Sequence, residues 1–242
     1  MIVFVHGVPE TQTIWNELRA NLNAESVALS MPGFGCARPL GFSATKDEYV
    51  DWLVGELDQF DEPIDLVGHD WGAGLTYRVA TAYGNRLRSW SADVANIVHP
   101  DYVWHEYAQI WQTPGDGEAF FANPRSAQER GPGLEMLGVP HDDAVTMAEA
   151  SDETMGACIL DLYRSATPNL YAHWGDAFRP TFAPGMVMCP SEDPFGDAVK
   201  SREVAAMLGA RHQMLDGLGH WWPLQAPERC AELLNEFIAS IG

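Results

Sequence analysis

The stretch that decides the fold is residues 64–76, IDLVGHDWGAGLT, in which a short apolar run leads into Gly-His-Asp-Trp-Gly and a helix-like pattern. Glycines lie two positions before and two positions after Asp70, which leaves room for a sharp turn between a strand and a helix. Such a turn presents one side chain at the top of a sheet, as in the pattern Gly-x-Ser-x-Gly. An aspartate that only caps a helix needs neither the two glycines nor a preceding buried strand. The stretch therefore predicts that Asp70 is a presented carboxylate.

A presented carboxylate favours a different chemistry from a presented serine. Attack by a carboxylate on an acyl carbon gives a labile anhydride, whereas attack on a saturated carbon gives an ester that water can later hydrolyse. Asp70 therefore indicates alkylating substrates, epoxides or alkyl halides, rather than esters or amides.

Strand and helix patterns alternate on both sides of this stretch. The apolar runs predict strands at residues 2–5, 26–30, 64–67, 87–94, 185–189 and 212–215. Helical spacing predicts helices at residues 13–22, 45–60, 71–83, 198–208 and 227–241. The alternation predicts an α/β fold with a mostly parallel sheet of about six strands and helices on both faces.

The alternation is interrupted once, between residues 97 and 180, where tryptophan, tyrosine, proline and glycine become dense. Open α/β sheets bind ligands beyond the carboxyl ends of their strands. We therefore expect residues 1–96 and 181–242 to form the core and residues 97–180 to form a helical lid. Trp111 and the other lid aromatics either contact a small, apolar substrate or form the core of the lid, and the sequence leaves both interpretations open.

The composition excludes several classes of partner. The 242 residues carry a net charge of −20, which argues against nucleic acid and anionic membranes because both require basic patches. No apolar run reaches the length of a membrane span or a signal peptide. The four cysteines show no metal-ligand spacing, so we expect buried thiols, a cytoplasmic location, and no metal or cofactor. The sequence leaves a homodimer open.

Two further segments supply partners for Asp70 in chain order. Asp193 follows a predicted strand, and His220 lies on a glycine-rich loop after the last one. Asp193 would orient His220, which would deprotonate a water that attacks the Asp70 ester. Glu192 is a rival for the acid, and Asp93 and Asp101 are weaker rivals.

The loop His-Gly-Val-Pro at residues 6–9 follows the first predicted strand. We expect the backbone N–H groups of Val8 and Trp71 to converge on one carboxylate oxygen of Asp70.

With these motifs the chain resembles the α/β-hydrolase superfamily and, within it, the epoxide hydrolases and haloalkane dehalogenases. The resemblance covers nearly the whole chain. Members usually have two strands before the H-G-x-P strand, which here is residues 2–5, so the resemblance implies a sheet shortened at the N-terminus.

Epoxide hydrolases use two lid tyrosines to protonate the oxygen as the ring opens. The segment Tyr107–Gly115 and the pair Tyr163-Arg164 are similar to the two that carry them, which makes Tyr107 and Tyr163 the expected donors. Tyr102 and Tyr171 are the fallbacks.

Two other functions stay open. A haloalkane dehalogenase would use the same Asp-His-Asp set and hold the halide with indole N–H groups, and Trp71 fits that role. The lid motif Trp-Pro-Arg of that branch is missing, and Trp71 and Gly74 stand where haloacid enzymes carry arginines. The third function is a ligand-binding module without turnover, against which the ordered Asp70, Asp193 and His220 speak.

Overall fold

A six-stranded, entirely parallel sheet forms the centre of the computed structural model, which describes residues 1–122 and 126–242. Its strand order is β2-β1-β3-β4-β5-β6. The strands are β1 (Ile2–Val5), β2 (Ser26–Leu29), β3 (Ile64–Gly68), β4 (Leu87–Ala92), β5 (Gly185–Pro190) and β6 (Arg211–Leu215). The α/β fold class predicted from the alternation is thus confirmed, and so is the number of strands.

Helices connect the strands and cover both faces of the sheet. The chain forms three helices before β4: α1 (Asn16–Ala20), α2 (Lys46–Leu57) and α3 (Trp71–Ala82). The segment between β4 and β5 contains α4 (Glu106–Gln112), α5 (Asp116–Phe121), α6 (Ala127–Met136), α7 (His141–Ala150), α8 (Glu153–Ser165) and α9 (Leu170–Trp174). The last three are α10 (Ala198–Leu208), α11 (Trp222–Gln225) and α12 (Pro227–Ala239).

The apolar strands are buried on both faces because successive side chains point to opposite sides of the sheet. In β1, Val3 and Val5 pack into the core layer that contains residues of α2, α3 and α10. Ile2 and Phe4 pack into the opposite layer with α1 and α12. This two-sided burial explains why the strands read as continuous apolar runs rather than as alternating ones.

Helix α2 begins one residue after Thr45, whose side chain caps it. Thr45 Oγ1 accepts the N–H of Glu48 at 3.3 Å. The Glu48 carboxylate accepts the N–H and the hydroxyl of Ser43, not the N–H of Thr45. In a capping box the Glu48 carboxylate would accept the N–H of Thr45, so the contact with Ser43 lies two residues earlier in the chain.

Helices of the segment between β4 and β5 cover the carboxyl end of β3. Trp104 stacks on Trp71 at a centroid distance of 5.6 Å, and Tyr163 of α8 meets the same indole edge-on at 5.2 Å. The lid boundaries at residues 97 and 180 remain a proposal.

Cys36 corrects one expectation about the cysteines. Its side chain is exposed, whereas Cys158, Cys189 and Cys230 are buried as expected. Among the described residues, no helix combines the length and the apolar character needed to cross a bilayer.

Candidate active site

Asp70 lies at the turn between β3 and α3 with backbone angles of φ 51° and ψ −117°. Side chains other than glycine rarely adopt a positive φ, so the close packing around the turn must hold it. A Cβ on Gly72 would lie 2.2 Å from the carbonyl oxygen of Val5, and one on Gly68 would lie 2.4 Å from that of Gly72. The two glycines that define the sequence pattern thus allow the helix to start against the strands.

The Asp70 carboxylate faces the loop after β1. The N–H of Val8 donates to Asp70 Oδ1 at 2.9 Å, as the loop sequence predicts. A Cβ on Gly7 would lie 2.3 Å from the same oxygen, so only glycine allows this approach. The backbone N–H of Trp71 makes no hydrogen bond to Asp70 among the described contacts, which differs from the expected pair of donors. Its N–H at the start of α3 stays available for a charge that develops during reaction.

Asp193 and His220 meet Asp70 from the loops after β5 and β6. His220 Nδ1 lies 2.9 Å from Asp193 Oδ2, and His220 Nε2 lies 3.8 Å from Asp70 Oδ2. The N–H of Phe195 donates to the other oxygen of Asp193 at 2.8 Å. Asp193 is buried, whereas the rival Glu192 is exposed. The structure therefore brings together the three side chains that the chain order suggested.

The charges of this set depend on one another. Burial disfavours the imidazolium form of His220, but the attraction and hydrogen bond to Asp193, together with the Asp70 charge, outweigh burial and raise the pKa of His220 above the usual value. Burial likewise opposes ionisation of Asp193, and His220 outweighs it, so the pKa of Asp193 is lowered. Burial raises the pKa of Asp70, and the nearby His220 opposes that rise. Asp70 keeps 18% of its side chain exposed, which leaves an oxygen open to a ligand.

The lid places one of the two predicted tyrosines beside Asp70. Tyr163 is buried, and burial together with the Asp70 charge raises the pKa of its phenol well above the usual value. Tyr107 is 41% exposed, and its ring lies against that of Trp111 at a centroid distance of 6.1 Å. The fallback Tyr102 is buried and packs on Trp104 at a ring-centroid distance of 5.1 Å, and burial and then the Asp70 charge raise its pKa. Position along the chain does not reveal this difference in burial between Tyr102 and Tyr107.

Two indole N–H groups near Tyr163 lack an acceptor. Those of Trp71 and Trp111 are both buried and make no hydrogen bond to the described residues. The two rings meet the Tyr163 ring at centroid distances of 5.2 and 4.9 Å. They offer donors for a bound anion or oxygen.

His105 is a site residue that the sequence analysis missed. Its Nδ1 accepts the N–H of Ala108 at 3.2 Å and so caps α4, which leaves the proton of the neutral ring on Nε2. Burial lowers its pKa to about 4, so the ring is neutral at physiological pH. Its ring lies 4.9 Å from that of Phe195, which in turn lies 5.1 Å from His220. No pattern in the sequence distinguishes it from a surface histidine.

Glu10 and His69 lie beneath the carboxylate. Together with His220 they bring metal-ligand atoms within 4.8 Å of one another. Both nitrogens of His69 already face carboxylates, those of Glu10 and Asp93. A histidine protonated on both nitrogens has no lone pair for a metal, so the donor set does not fit one.

Comparison with known proteins identifies the family. The model of the Alpha/beta hydrolase family matches residues 2–233, so the chain belongs to that family.

Individual relatives are distant. The chain is 35% identical over 94 residues to "Epoxide hydrolase 2" of Siraitia grosvenorii, a match that covers 36% of this chain and 30% of the relative. The matches to the first curated relatives span about a third of the length of those proteins. The sequence likeness therefore supports the family and leaves the reaction to be argued from the site.

Solved structures extend the likeness to the whole chain. The epoxide hydrolase VrEH1 from Vigna radiata superposes with a TM-score of 0.79 at 18% identity, over 99% of this chain and 90% of that one. The haloalkane dehalogenase DbeA from Bradyrhizobium elkani USDA94 gives a TM-score of 0.76 at 20% identity, over 99% and 90%. At these identities both show the shared fold alone.

Gly72 provides a test of the turn. We expect Gly72→Ala to destabilise the protein by about 1–3 kcal/mol or more, because the new methyl group overlaps the carbonyl of Val5. Gly55→Ala is the matched control: Gly55 is also a helical glycine, but nothing lies within 4 Å of its added Cβ. That control should be neutral or stabilising by up to about 1 kcal/mol. Equal unfolding midpoints in urea for the two variants would contradict the close approach.

Proposed function

We propose that the protein hydrolyses an apolar epoxide to a vicinal diol through an ester on Asp70. The observation that carries the proposal is the carboxylate itself: Oδ1 is held by the N–H of Val8, and Oδ2 is 3.8 Å from Nε2 of His220. A carboxylate fixed at one oxygen and partly exposed is suited to attack a saturated carbon with the other.

In the first step, one oxygen of Asp70 attacks an epoxide carbon, and the bond between that carbon and the ring oxygen breaks. The leaving alkoxide is too basic to depart unassisted near neutral pH, so it must receive a proton. The buried phenol of Tyr163 supplies that proton, with Tyr102 as the second donor. The Tyr163 ring meets that of Trp71, the neighbour of Asp70 in the chain, at 5.2 Å, and the Asp70 charge raises the pKa of both phenols, which supports this assignment.

In the second step, His220 Nε2 removes a proton from water, and the hydroxide attacks the carboxyl carbon of the ester. Val8 and Trp71 stabilise the oxyanion through their backbone N–H groups. When the tetrahedral intermediate collapses, the bond between the carboxyl carbon and the diol oxygen breaks, the proton of the attacking hydroxide passes to that oxygen, and Asp70 is regenerated as a carboxylate. The proton on His220 then returns through solvent to the Tyr163 phenolate, which restores both groups. Asp193 stabilises the imidazolium that forms. Esterification also removes the Asp70 charge that favours protonation of His220, which lowers the pKa of His220 when it must act as a base.

A second candidate is hydrolytic removal of halide from a haloalkane through the same ester. The unpaired indole N–H groups of Trp71 and Trp111 favour it, because a departing halide needs donors but no proton. The buried phenols beside Asp70 favour the epoxide, because halide departure gives them no role. Several points remain predictions: the apolar character of the substrate, the cytoplasmic location, action without a metal or cofactor, and a homodimer.

Replacing the base should trap the ester. We expect His220→Gln, mixed with styrene oxide, to gain the mass of one substrate molecule on the peptide that contains Asp70, because alkylation proceeds while hydrolysis stalls. Intact-mass and peptide mass spectrometry measure the adduct. Asp70→Asn is the control and should gain no mass. A non-catalytic binding module would retain ligand without any adduct in either form, and that result would contradict the proposal.

The tyrosines separate the two reactions. We expect Tyr163→Phe and Tyr102→Phe each to slow epoxide opening by a factor of about 10², because each removes a donor to the developing alkoxide. Tyr107→Phe should change the rate by less than a few-fold, since its side chain is 41% exposed and packs on Trp111.

Stopped-flow measurement of ester formation gives the rate of epoxide opening. Release of bromide from 1-bromobutane gives the rate of the competing dehalogenase reaction. A hundredfold loss in Tyr107→Phe, with no loss in Tyr102→Phe, would favour Tyr107, the donor expected from the sequence, over Tyr102. Bromide release that exceeds epoxide turnover and persists in the Tyr102→Phe/Tyr163→Phe double variant would favour the dehalogenase.

A further inference from the structure

Helices α6 and α7 form a hairpin, residues 127–150, that packs on the loop of the proposed base. The hairpin and this loop share one small apolar cluster. Its buried members are Val139, Ala144, Met147 and Trp221, and the partly buried residues that pack against it are Leu134, Leu137 and Leu224. Trp221 and Leu224 lie outside the hairpin, and no residue of the hairpin has a role in the steps derived above.

Trp221 joins this cluster to the base, because it directly follows His220 in the chain. The two rings meet edge-on at a centroid distance of 4.9 Å. On the core side, the indole N–H of Trp221 donates to Glu10 Oε1 at 2.8 Å. An aromatic side chain buries about 150–250 Å², so its contacts fix the position of the chain that carries it. The ring is therefore held between the core and the hairpin.

Gln225 makes a second connection between the hairpin and the base loop. Its Oε1 accepts the N–H of Gly219 at 2.8 Å, and its Nε2 donates to the carbonyl oxygen of Gly138 at 2.9 Å. Gly219 directly precedes His220, and Gly138 lies in the turn between α6 and α7. The hairpin thus contacts the base loop on both sides of His220.

The bridge depends on the side-chain amide of Gln225. An amide both accepts and donates, whereas an ionised carboxylate only accepts. A glutamate at this position could keep the contact with Gly219 but could not donate to Gly138. Gly138 has a φ of 98°, and a Cβ there would lie 3.4 Å from Gln225 Nε2, so glycine suits both the turn and the bridge.

The base loop needs such contacts because Gly217 and Gly219 flank Leu218 within it. A glycine-rich segment has wide conformational freedom, and surrounding contacts must select one conformation. On the side of the acid, the carbonyl of Leu218 accepts the N–H of Glu192 at 2.9 Å. The contacts with the hairpin fix the same loop from the opposite side, next to His220 itself.

We propose that the α6–α7 hairpin positions His220 for hydrolysis of the ester, through Trp221 and Gln225. Attack by Asp70 on the substrate does not require a base, whereas attack by water does, so loss of these contacts should slow the second step selectively. This kinetic consequence rests on the proposed function. Docking of the hairpin on the base loop concerns the free protein and requires no substrate. Gln225 and Met147 are positioning residues, because they act through the neighbours of His220.

Two variants of Gln225 test the bridge. Gln225 is exposed, so its substitution leaves the buried core intact. We expect Gln225→Ala and Gln225→Glu each to slow decay of the ester by about three- to tenfold, because small displacements of a catalytic group cost rate. Formation of the ester should change by less than about twofold. Gln59→Glu is the control, because it adds the same charge at an exposed glutamine beyond the end of α2.

A cavity in the shared cluster tests the packing. Met147→Ala removes a buried side chain of the hairpin from the cluster that holds Trp221. We expect it to slow decay of the ester by about tenfold and to leave formation within about twofold. Met155→Ala is the matched control, because Met155 is a buried methionine of α8 that packs in the main core. That variant should not slow decay relative to formation.

Single-turnover reactions with styrene oxide, quenched and followed by intact mass, give the rates of formation and decay of the ester. Slower decay with unchanged formation supports the proposal. Equal slowing of both steps would show a merely structural role, and an unchanged decay in Gln225→Glu and Met147→Ala would contradict the proposal. If Met147→Ala does not fold, the two Gln225 variants decide.

Hydrogen exchange of the free protein, measured by mass spectrometry, separates this proposal from the proposed function. We expect the amides of residues 217–222 to exchange at least about threefold faster in Met147→Ala and Gln225→Ala, because their loop opens more often. Met155→Ala should leave them unchanged. An absent ester in every variant, His220→Gln included, would contradict the proposed function, and the exchange would still test the docking. Unchanged exchange in both variants would overturn the docking itself.

Discussion

The backbone of Asp70 is held at a positive φ, and the rest of the site depends on this constraint. A conformation of this kind costs about 1–3 kcal/mol for a residue with a side chain, so surrounding contacts must hold it. Here the helix start packs against the strand ends through Gly68 and Gly72, and Asp93 accepts the Asp70 N–H. Relaxation of the turn would carry the carboxylate away from Val8 and His220 together.

Parallel pairing explains why residues far apart in the chain meet at this turn. All six strands run in one direction, so the segments that follow β1, β3, β4, β5 and β6 emerge at the same edge of the sheet. Val8, Asp70, Asp93, Asp193 and His220 each lie on one of those segments. The helices between β4 and β5 then cover this edge with aromatic rings, which lowers the local polarity and strengthens every charge interaction beneath.

Local patterns in the sequence were enough to predict the strands and the presented aspartate. The apolar runs were short and bounded by turn residues, and the glycines around Asp70 have a steric role that can be deduced without a structure. Side-chain direction in the lid could not be deduced in the same way. Tyr102 packs on Trp104 and is buried, whereas Tyr107 packs on Trp111 and stays 41% exposed, and no local pattern distinguishes the two. The sequence does not reveal the pairing of Glu10 with His69 either, because the two residues in contact are 59 positions apart in the chain.

The account depends most on the claim that water attacks the carboxyl carbon of an ester on Asp70. Its most direct test is one turnover of an epoxide by stoichiometric enzyme in ¹⁸O-labelled water, followed by mass analysis of the diol and of the Asp70 peptide. The account predicts that the first diol contains no label and that one carboxylate oxygen of Asp70 carries it, because the diol oxygen comes from the nucleophile. Label found wholly in the first diol, with Asp70 unlabelled, would mean direct attack of water on the epoxide and would contradict the account.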